Sequence, residues 1–382
     1  MVIATPEAAS AGVRMKRIDG DTHFAVPVDY NDLKGLLPKS RHAEAQDMMW
    51  RDGLRFANPQ GVRDALGQRV TGGPPATRRG DDRDPAVIVQ ERIEAMDRLG
   101  FDTQVVLTQS AMPSPLRAAD KPLWLRAALA RLYNDSAAKL QQEYPDRFIT
   151  HATVPWDDID ESVRELERSH TLGLRTVLIA GSYLDKNLDE YALFPFWEAV
   201  NALGFTCLVH DTPQPCGGAI LDHTTPYPMV GTERYHRLHV GTYLGFGIDY
   251  TMSCAALSLG GVFDEFPNLR FIFMEAGALW MSYAMVGADR SFLIEPACSR
   301  SRTRPSELIK RHCLTEIQGM EPVEQIVAAY GSEHLFLATD FPHPEFQVVP
   351  NSVGDILDRE QLTGTDKENI LGGNLARVLH RG

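Results

Sequence analysis

From Arg17 onward the chain alternates short apolar runs with longer stretches in which apolar residues recur at i, i+3 and i+4. The first pattern is that of buried strands, the second that of amphipathic helices. Eight strands are predicted, over 16–23, 102–108, 147–154, 175–180, 205–210, 269–275, 312–317 and 334–340. Helices are predicted over 87–99, 119–144, 159–172, 190–203, 248–265, 278–290, 321–330 and 365–379. Strand–helix alternation builds a parallel sheet. Eight repeats is the count of a (β/α)8 barrel of the TIM type, an α/β fold.

Two stretches interrupt the alternation. Residues 24–86, rich in Gly, Pro, Arg and Asp, follow the first strand, and 211–241 follow the fifth. Loops of that length in a compact domain are expected to serve a site, here as walls or lid over the strand C-termini. Residues 1–14 carry Ala, Ser and Gly without a period and read as a disordered tail. That leaves 15–382 as one barrel domain.

Composition narrows the partners. A hydrophobic content of 43% over 382 residues is enough for a large core. Acidic residues outnumber basic ones 51 to 38, for a net charge of −13. Nucleic acid and anionic membranes are poor partners for such a surface, so a small-molecule substrate is expected, with a homo-oligomer compatible. No apolar run approaches the ~20 residues of a membrane span, and the N-terminus shows no basic and apolar leader. A cytoplasmic location is expected. Five cysteines without Cys-x-x-Cys spacing indicate neither a disulfide framework nor a thiolate zinc site. They read as buried or loop thiols, with Cys216, just beyond His210, the one close enough to the mouth to contact substrate.

Four strand ends carry metal-ligand chemistry: Asp21-Thr22-His23, His210, Glu275 and Asp340. In a barrel these ends meet at one mouth. Imidazoles and carboxylates arriving there together suit a divalent metal with a position open to water or substrate. Asp21 and His23 share a strand face by their spacing of two, with Asp19 one step deeper. A carboxylate beside metal-bound water can take its proton, a role that suits Asp340. Beyond strand five, His236 and His239 have helical spacing and, with His223, offer a second metal site, a substrate contact or plain loop packing. His343, after Asp340-Phe341-Pro342, would pin the loop or reach substrate. His151 in strand three and Glu316 in strand seven are placed to point inward. Trp156 and Trp280 read as core.

In their order, Asp21-x-His23, the helix from Arg92 to Gly100, the lead-in Phe266-Pro267-Asn268-Leu269 and the closing Asp340-Phe341-Pro342-His343 resemble the amidohydrolase superfamily. More narrowly, they resemble its amidohydrolase-related branch of aminocarboxymuconate semialdehyde decarboxylase-like proteins. The resemblance implies a mononuclear metal enzyme with Asp21, His23, His210 and Asp340 as ligands and Asp340 and Glu275 as catalytic groups. Many relatives have His where Asp21 stands, although an acid there also occurs in aromatic-acid decarboxylases of the branch. The harder ligand set widens the metal from zinc, the first expectation, to zinc, manganese or iron. The strand 175–180 has no Lys, so a carboxylated-lysine bridge between two metals is excluded. Glu275 stands where decarboxylase-like relatives carry an acid/base His, and serves as proton shuttle, extra ligand or structural acceptor.

The implied function is a metal-dependent hydrolase or non-oxidative carboxy-lyase acting on a small carbonyl or carboxyl substrate. Phe24, Tyr30, Trp50, Phe56, Tyr227 and Tyr235 give that substrate a hydrophobic or aromatic character. The alternative is a non-heme diiron monooxygenase on the same scaffold, kept open by the carboxylate-rich ligands. A metal-free binding protein is disfavoured, because each ligand position holds a ligand-type residue.

Overall fold

The computed structural model describes residues 16–24, 30–51, 84–107, 121–183, 186–210, 240–342 and 351–379. Its eight strands are β1 (Ile18–His23), β2 (Thr103–Leu107), β3 (Phe148–Thr150), β4 (Thr176–Ile179), β5 (Thr206–Val209), β6 (Arg270–Phe273), β7 (Cys313–Ile317) and β8 (Leu335–Leu337). Each lies within one of the eight runs expected from the sequence. All pairings are parallel, in the orders β1-β2-β3 and β4 to β8. Parallel bridges Ala152↔Val177 and Thr22↔Phe341 join the two arcs at both seams, so the ring closes. Strand residues are buried almost throughout, as expected of a parallel sheet covered on both faces.

The helices are α1 (Tyr30–Leu36), α2 (His42–Arg51), α3 (Pro85–Leu99), α4 (Leu123–Glu143), α5 (Ile159–Thr171), α6 (Phe194–Leu203) and α7 (Val240–Leu259). They continue with α8 (Val262–Glu265), α9 (Leu279–Ile294), α10 (Pro305–His312), α11 (Val323–Tyr330), α12 (Ser352–Asp358), α13 (Gly364–Glu368) and α14 (Asn374–Leu379). Local chemistry sets several of their ends. The Asp158 carboxylate accepts from the Glu161 N–H to start α5, and α3 stops at Gly100 with φ 85°.

Four helices were not foreseen. The stretch 24–86, expected as loop, contains α1 and α2, and Leu33 on α1 is buried in a satellite core with Phe24 and Phe148. The short α10 and α12 carry too few turns for a clear period. The single helix expected over 365–379 is α13 and α14 joined by a π-turn at Asn369–Gly373. The break falls at Gly372, φ 156°, where a Cβ would lie 2.6 Å from the Lys16 carbonyl oxygen beside β1. Only a residue without a side chain fits that approach. The tail 1–14 and all of 52–83 and 211–239, and with them the lid expectation, lie outside the described residues.

One buried group outside the mouth makes stability depend on pH. His312 stacks on Phe263 at 4.3 Å, and its Nδ1–H donates to the Leu269 carbonyl at 2.8 Å. Its Nε2 is buried with no hydrogen-bond partner, so protonation would strand an N–H. Burial therefore pushes its pKa from 6.5 down to about 4. Between those values the unfolded chain binds a proton that the fold refuses, so stability falls as pH falls through the window. Denaturant melts at pH 7 and pH 4.5 should show a smaller pH-dependent loss in His312→Gln than in the wild type. Equal losses would remove His312 as the cause.

Candidate active site

Period-two geometry in β1 puts Asp21 and His23 on one face, and His210 follows β5 directly. The donor atoms of these three buried residues all lie within 4.8 Å of one another. His23 Nε2 is 3.8 Å from Asp21 Oδ1, and His210 Nε2 is 3.6 Å from Asp21 Oδ2. The imidazoles meet edge to face at 5.2 Å. A carboxylate flanks each: Asp340 Oδ1 lies 2.8 Å from His23 Nε2, and Glu275 Oε2 lies 3.1 Å from His210 Nε2. At such separations a proton or a cation must be shared between nitrogen and oxygen. The expectation of one four-donor shell thus resolves into a three-residue cluster with Asp340 on one side and Glu275 on the other.

The backbone delivers these two acids by a shared device. Glu275 and Asp340 both have left-handed φ, 63° and 53°, just past β6 and β8. Non-glycine residues rarely adopt this region, and it recurs where strain serves a site. The turn holding Asp340 is fixed from β1, with Asp340 N–H donating to the Asp21 carbonyl at 3.0 Å and His23 N–H to the Phe341 carbonyl at 2.8 Å. The turn holding Glu275 is fixed from β7, where the Glu316 carboxylate accepts the Glu275 N–H. At Gly277, φ 66°, a Cβ would sit 2.7 Å from the Glu321 carboxylate, which caps the start of α9 by accepting the Ala278 N–H.

Asp19, expected one step deeper in the chamber, is used to tie the ring shut. Its carboxylate accepts from Thr339 N–H and Oγ1 and from Gln104 Nε2. Gln104 in turn accepts from Arg92 Nε at 2.8 Å. Arg92 also donates through Nη1 to the His23 carbonyl and through Nη2 to the Phe341 carbonyl. Burial pushes Asp19 up to about 7 and Arg92 down to about 9, while the donated hydrogen bonds and the facing guanidinium pull Asp19 back. Arg92→Met should cost about 3 kcal/mol in denaturant melts, because it leaves Asp19 buried without its counter-charge. A loss near zero would show that the Asp19 hydrogen bonds suffice alone.

Sequence reasoning did not find Arg92, Gln104 or Thr339. A signal existed for Arg92: it lies midway between Ile88 and Met96 at spacings of four, a cation on the buried stripe of α3. Glu316 faces the same chamber as foreseen, and its buried charge acts on Asp21. His151 is buried, donates through Nδ1 to the Ala152 carbonyl and lies 3.3 Å from the Tyr133 hydroxyl, with burial lowering its pKa to about 4. Trp156 and Trp280 are core, as expected. Phe24, expected to line the substrate site, is instead core, 6.0 Å from Phe148. Cys216, His223, His236, His239, His343, Phe56, Tyr227 and Tyr235 lie outside the described residues, as do the side chains of Tyr30 and Trp50.

The cluster suits a cation. Neither oxygen of Asp21 accepts a hydrogen bond although both are buried. Burial first, then Glu316, Asp340 and Glu275, push its carboxyl well above the usual carboxylate range. A divalent ion among Asp21, His23 and His210 would answer that excess charge with the ligand types such ions take.

The Amidohydrolase family matches residues 18–381 of the chain. A 2-amino-3-carboxymuconate-6-semialdehyde decarboxylase of Dictyostelium discoideum is 28% identical over 296 residues, 75% of each chain. Among solved structures, 5-carboxyvanillate decarboxylase of Sphingomonas paucimobilis superposes with a TM-score of 0.66 at 20% identity, over 96% of this chain and 99% of its own. A dihydroxybenzoic acid decarboxylase of Polaromonas sp. JS666, solved with manganese and the inhibitor 2-nitroresorcinol, gives 0.64 at 20% identity, over 96% and 97%.

Proposed function

The chain belongs to the amidohydrolase family, and from that premise we propose that it is a metal-dependent, non-oxidative decarboxylase of a small carboxylated aromatic or enamine-like acid. The observation that carries this reading is the Asp21–His23–His210 cluster with a carboxylate against each imidazole. The decarboxylase names of its relatives favour this reaction; they lend no support to hydrolysis or to a two-iron centre. Asp21, His23 and His210 would hold the metal, with Asp340 beside them. Bound there, a divalent ion supplies a Lewis acid that draws charge from a substrate oxygen. Manganese is favoured over zinc by the carboxylate-rich surroundings and by the manganese in the Polaromonas structure.

The chain's own groups supply the proton. Decarboxylation without an oxidant replaces a carboxylate by hydrogen: a proton adds at the carbon bearing the carboxylate, the C–C pair returns to the substrate and CO2 leaves. Glu275 would hold and deliver that proton: it is buried at the edge of the cluster, with Oε2 3.1 Å from His210 Nε2. Asp340 Oδ1, 2.8 Å from the same His23 Nε2, would share the cation that His23 holds. The test is CO2 release from 2,6-dihydroxybenzoate, 5-carboxyvanillate and 2-amino-3-carboxymuconate semialdehyde by chelated and manganese-loaded protein. Metal-dependent release from one of them is expected. A metal-loaded protein that leaves all three intact yet cleaves an ester, lactone or amide would overturn the reading.

A further inference from the structure

Asp21, Glu275 and Asp340 each have a part in the proposed reaction; Glu316 on β7 has none. Its neighbour Thr315 points outward, where the hydroxyl accepts from Trp280 Nε1 of α9 at 3.1 Å. Alternation along β7 therefore turns Glu316 to the lumen, and there it is 2% exposed. Its charge acts on Asp21 more strongly than that of Asp340 or Glu275 does, which sets it in the same chamber. It is nonetheless not one of the residues whose donor atoms gather within 4.8 Å as Asp21, His23 and His210 do.

The two oxygens of this carboxylate are used differently. The Glu275 N–H and the Gln318 side chain donate to it, yet Oε2 is buried and accepts no hydrogen bond from any described residue. Asp19 shows the contrasting case, a buried acid that holds the barrel together: Thr339 N–H donates to Oδ1, and Thr339 Oγ1 and Gln104 Nε2 donate to Oδ2. A bare buried acceptor destabilises the fold unless a donor reaches it. In a chamber that receives a substrate, the donor can arrive with the substrate.

Given the carboxylic acid substrate proposed above, we propose that Glu316 is a specificity-determining residue, whose Oε2 accepts a hydrogen bond from a neutral O–H or N–H on the body of that acid. Selection follows from what remains when the donor is missing. An acid without it leaves Oε2 buried and bare, which weakens binding by on the order of 10- to 100-fold. An ionised phenolate or a second carboxylate at that place meets a like charge and is rejected. Because the same carboxylate accepts the Glu275 N–H, the group that reads the substrate is tied to the group proposed to protonate it.

The test is binding to the manganese-loaded protein by isothermal titration calorimetry. The 2-, 3- and 4-hydroxybenzoates and the matching aminobenzoates are each compared with the fluorobenzoate of the same position, fluorine being close to a hydroxyl in size and carrying no donor. At one position the wild type should bind the hydroxyl or the amino compound tighter than the fluoro compound by about 10-fold or more. Glu316→Gln keeps an oxygen for the Glu275 N–H and turns an N–H, not an acceptor, toward the substrate. In that variant the preference should vanish or reverse, while bound manganese, measured by elemental analysis, stays at the wild-type level. Glu316→Asp, which draws the carboxylate back by one methylene, should weaken the same preference. Equal affinities within every pair for the wild type overturn the proposal, as does failure of all these acids to bind. A preference that Glu316→Gln leaves intact overturns it too, and so does a variant that loses its manganese, since Oε2 would then be a ligand. Affinity is read apart from CO2 release, so a hydroxy acid held through Glu316 but left intact counts against the proposed reaction alone.

Discussion

His210→Ala should purify as a folded protein with little bound metal and a turnover lower by a factor on the order of 10³ or more, because a Lewis acid worth several kcal/mol is lost with its ligand. His210 sits one residue past β5, where its N–H pairs with the Ile179 carbonyl at 3.2 Å. Alanine keeps that backbone contact. What disappears is the Nε2 that faces Asp21 on one side and Glu275 on the other, leaving these two acids with fewer partners. Residues at this end of a barrel serve the site and those at the other end serve stability, so the melting temperature should move far less than activity. Elemental analysis of the purified variant, with CO2 release on the substrate found for the wild type, checks both halves. Metal at wild-type stoichiometry together with turnover within about tenfold of wild type would remove His210 from the ligand set.

Glu275→Gln is the second large effect, and a different one. Glutamine preserves size and can still contact His210, but it holds no transferable proton. The variant should therefore keep its metal and lose roughly 10² to 10⁴ in turnover, the usual worth of a positioned proton donor. Loss of the metal along with activity would make Glu275 a ligand. Full metal and full activity would reduce it to a structural acceptor in the turn that the Glu316 carboxylate holds.

The barrel was legible because its signals are local: eight apolar runs of strand length, and helices with a clear period. The site was legible for a related reason, since ligand-type residues stood at the ends of those runs. What escaped were interactions between distant residues. Nothing near Arg92 in sequence announces that it reaches Phe341, or that Asp19 receives Thr339 320 residues away. Left-handed backbone at Glu275 and Asp340 was likewise invisible, because neither residue type advertises it as glycine would. Nor does anything near Gly277 announce that Glu321, from the far side of β7, packs against it.

The seam between the first and last strands has a consequence for how the chain acquires its chemistry. A single bridge, Thr22↔Phe341, and the buried Asp19–Gln104–Arg92 relay join β1 to the end of β8. During synthesis from the N-terminus, Asp21 and His23 exist long before Asp340 does. The loop that must close between them spans most of the chain, so its entropy is recovered only when the last strand docks. Competence to turn over substrate therefore arrives as the final event of folding, and partly folded chains carry the His23 imidazole without the Asp340 carboxylate that flanks it.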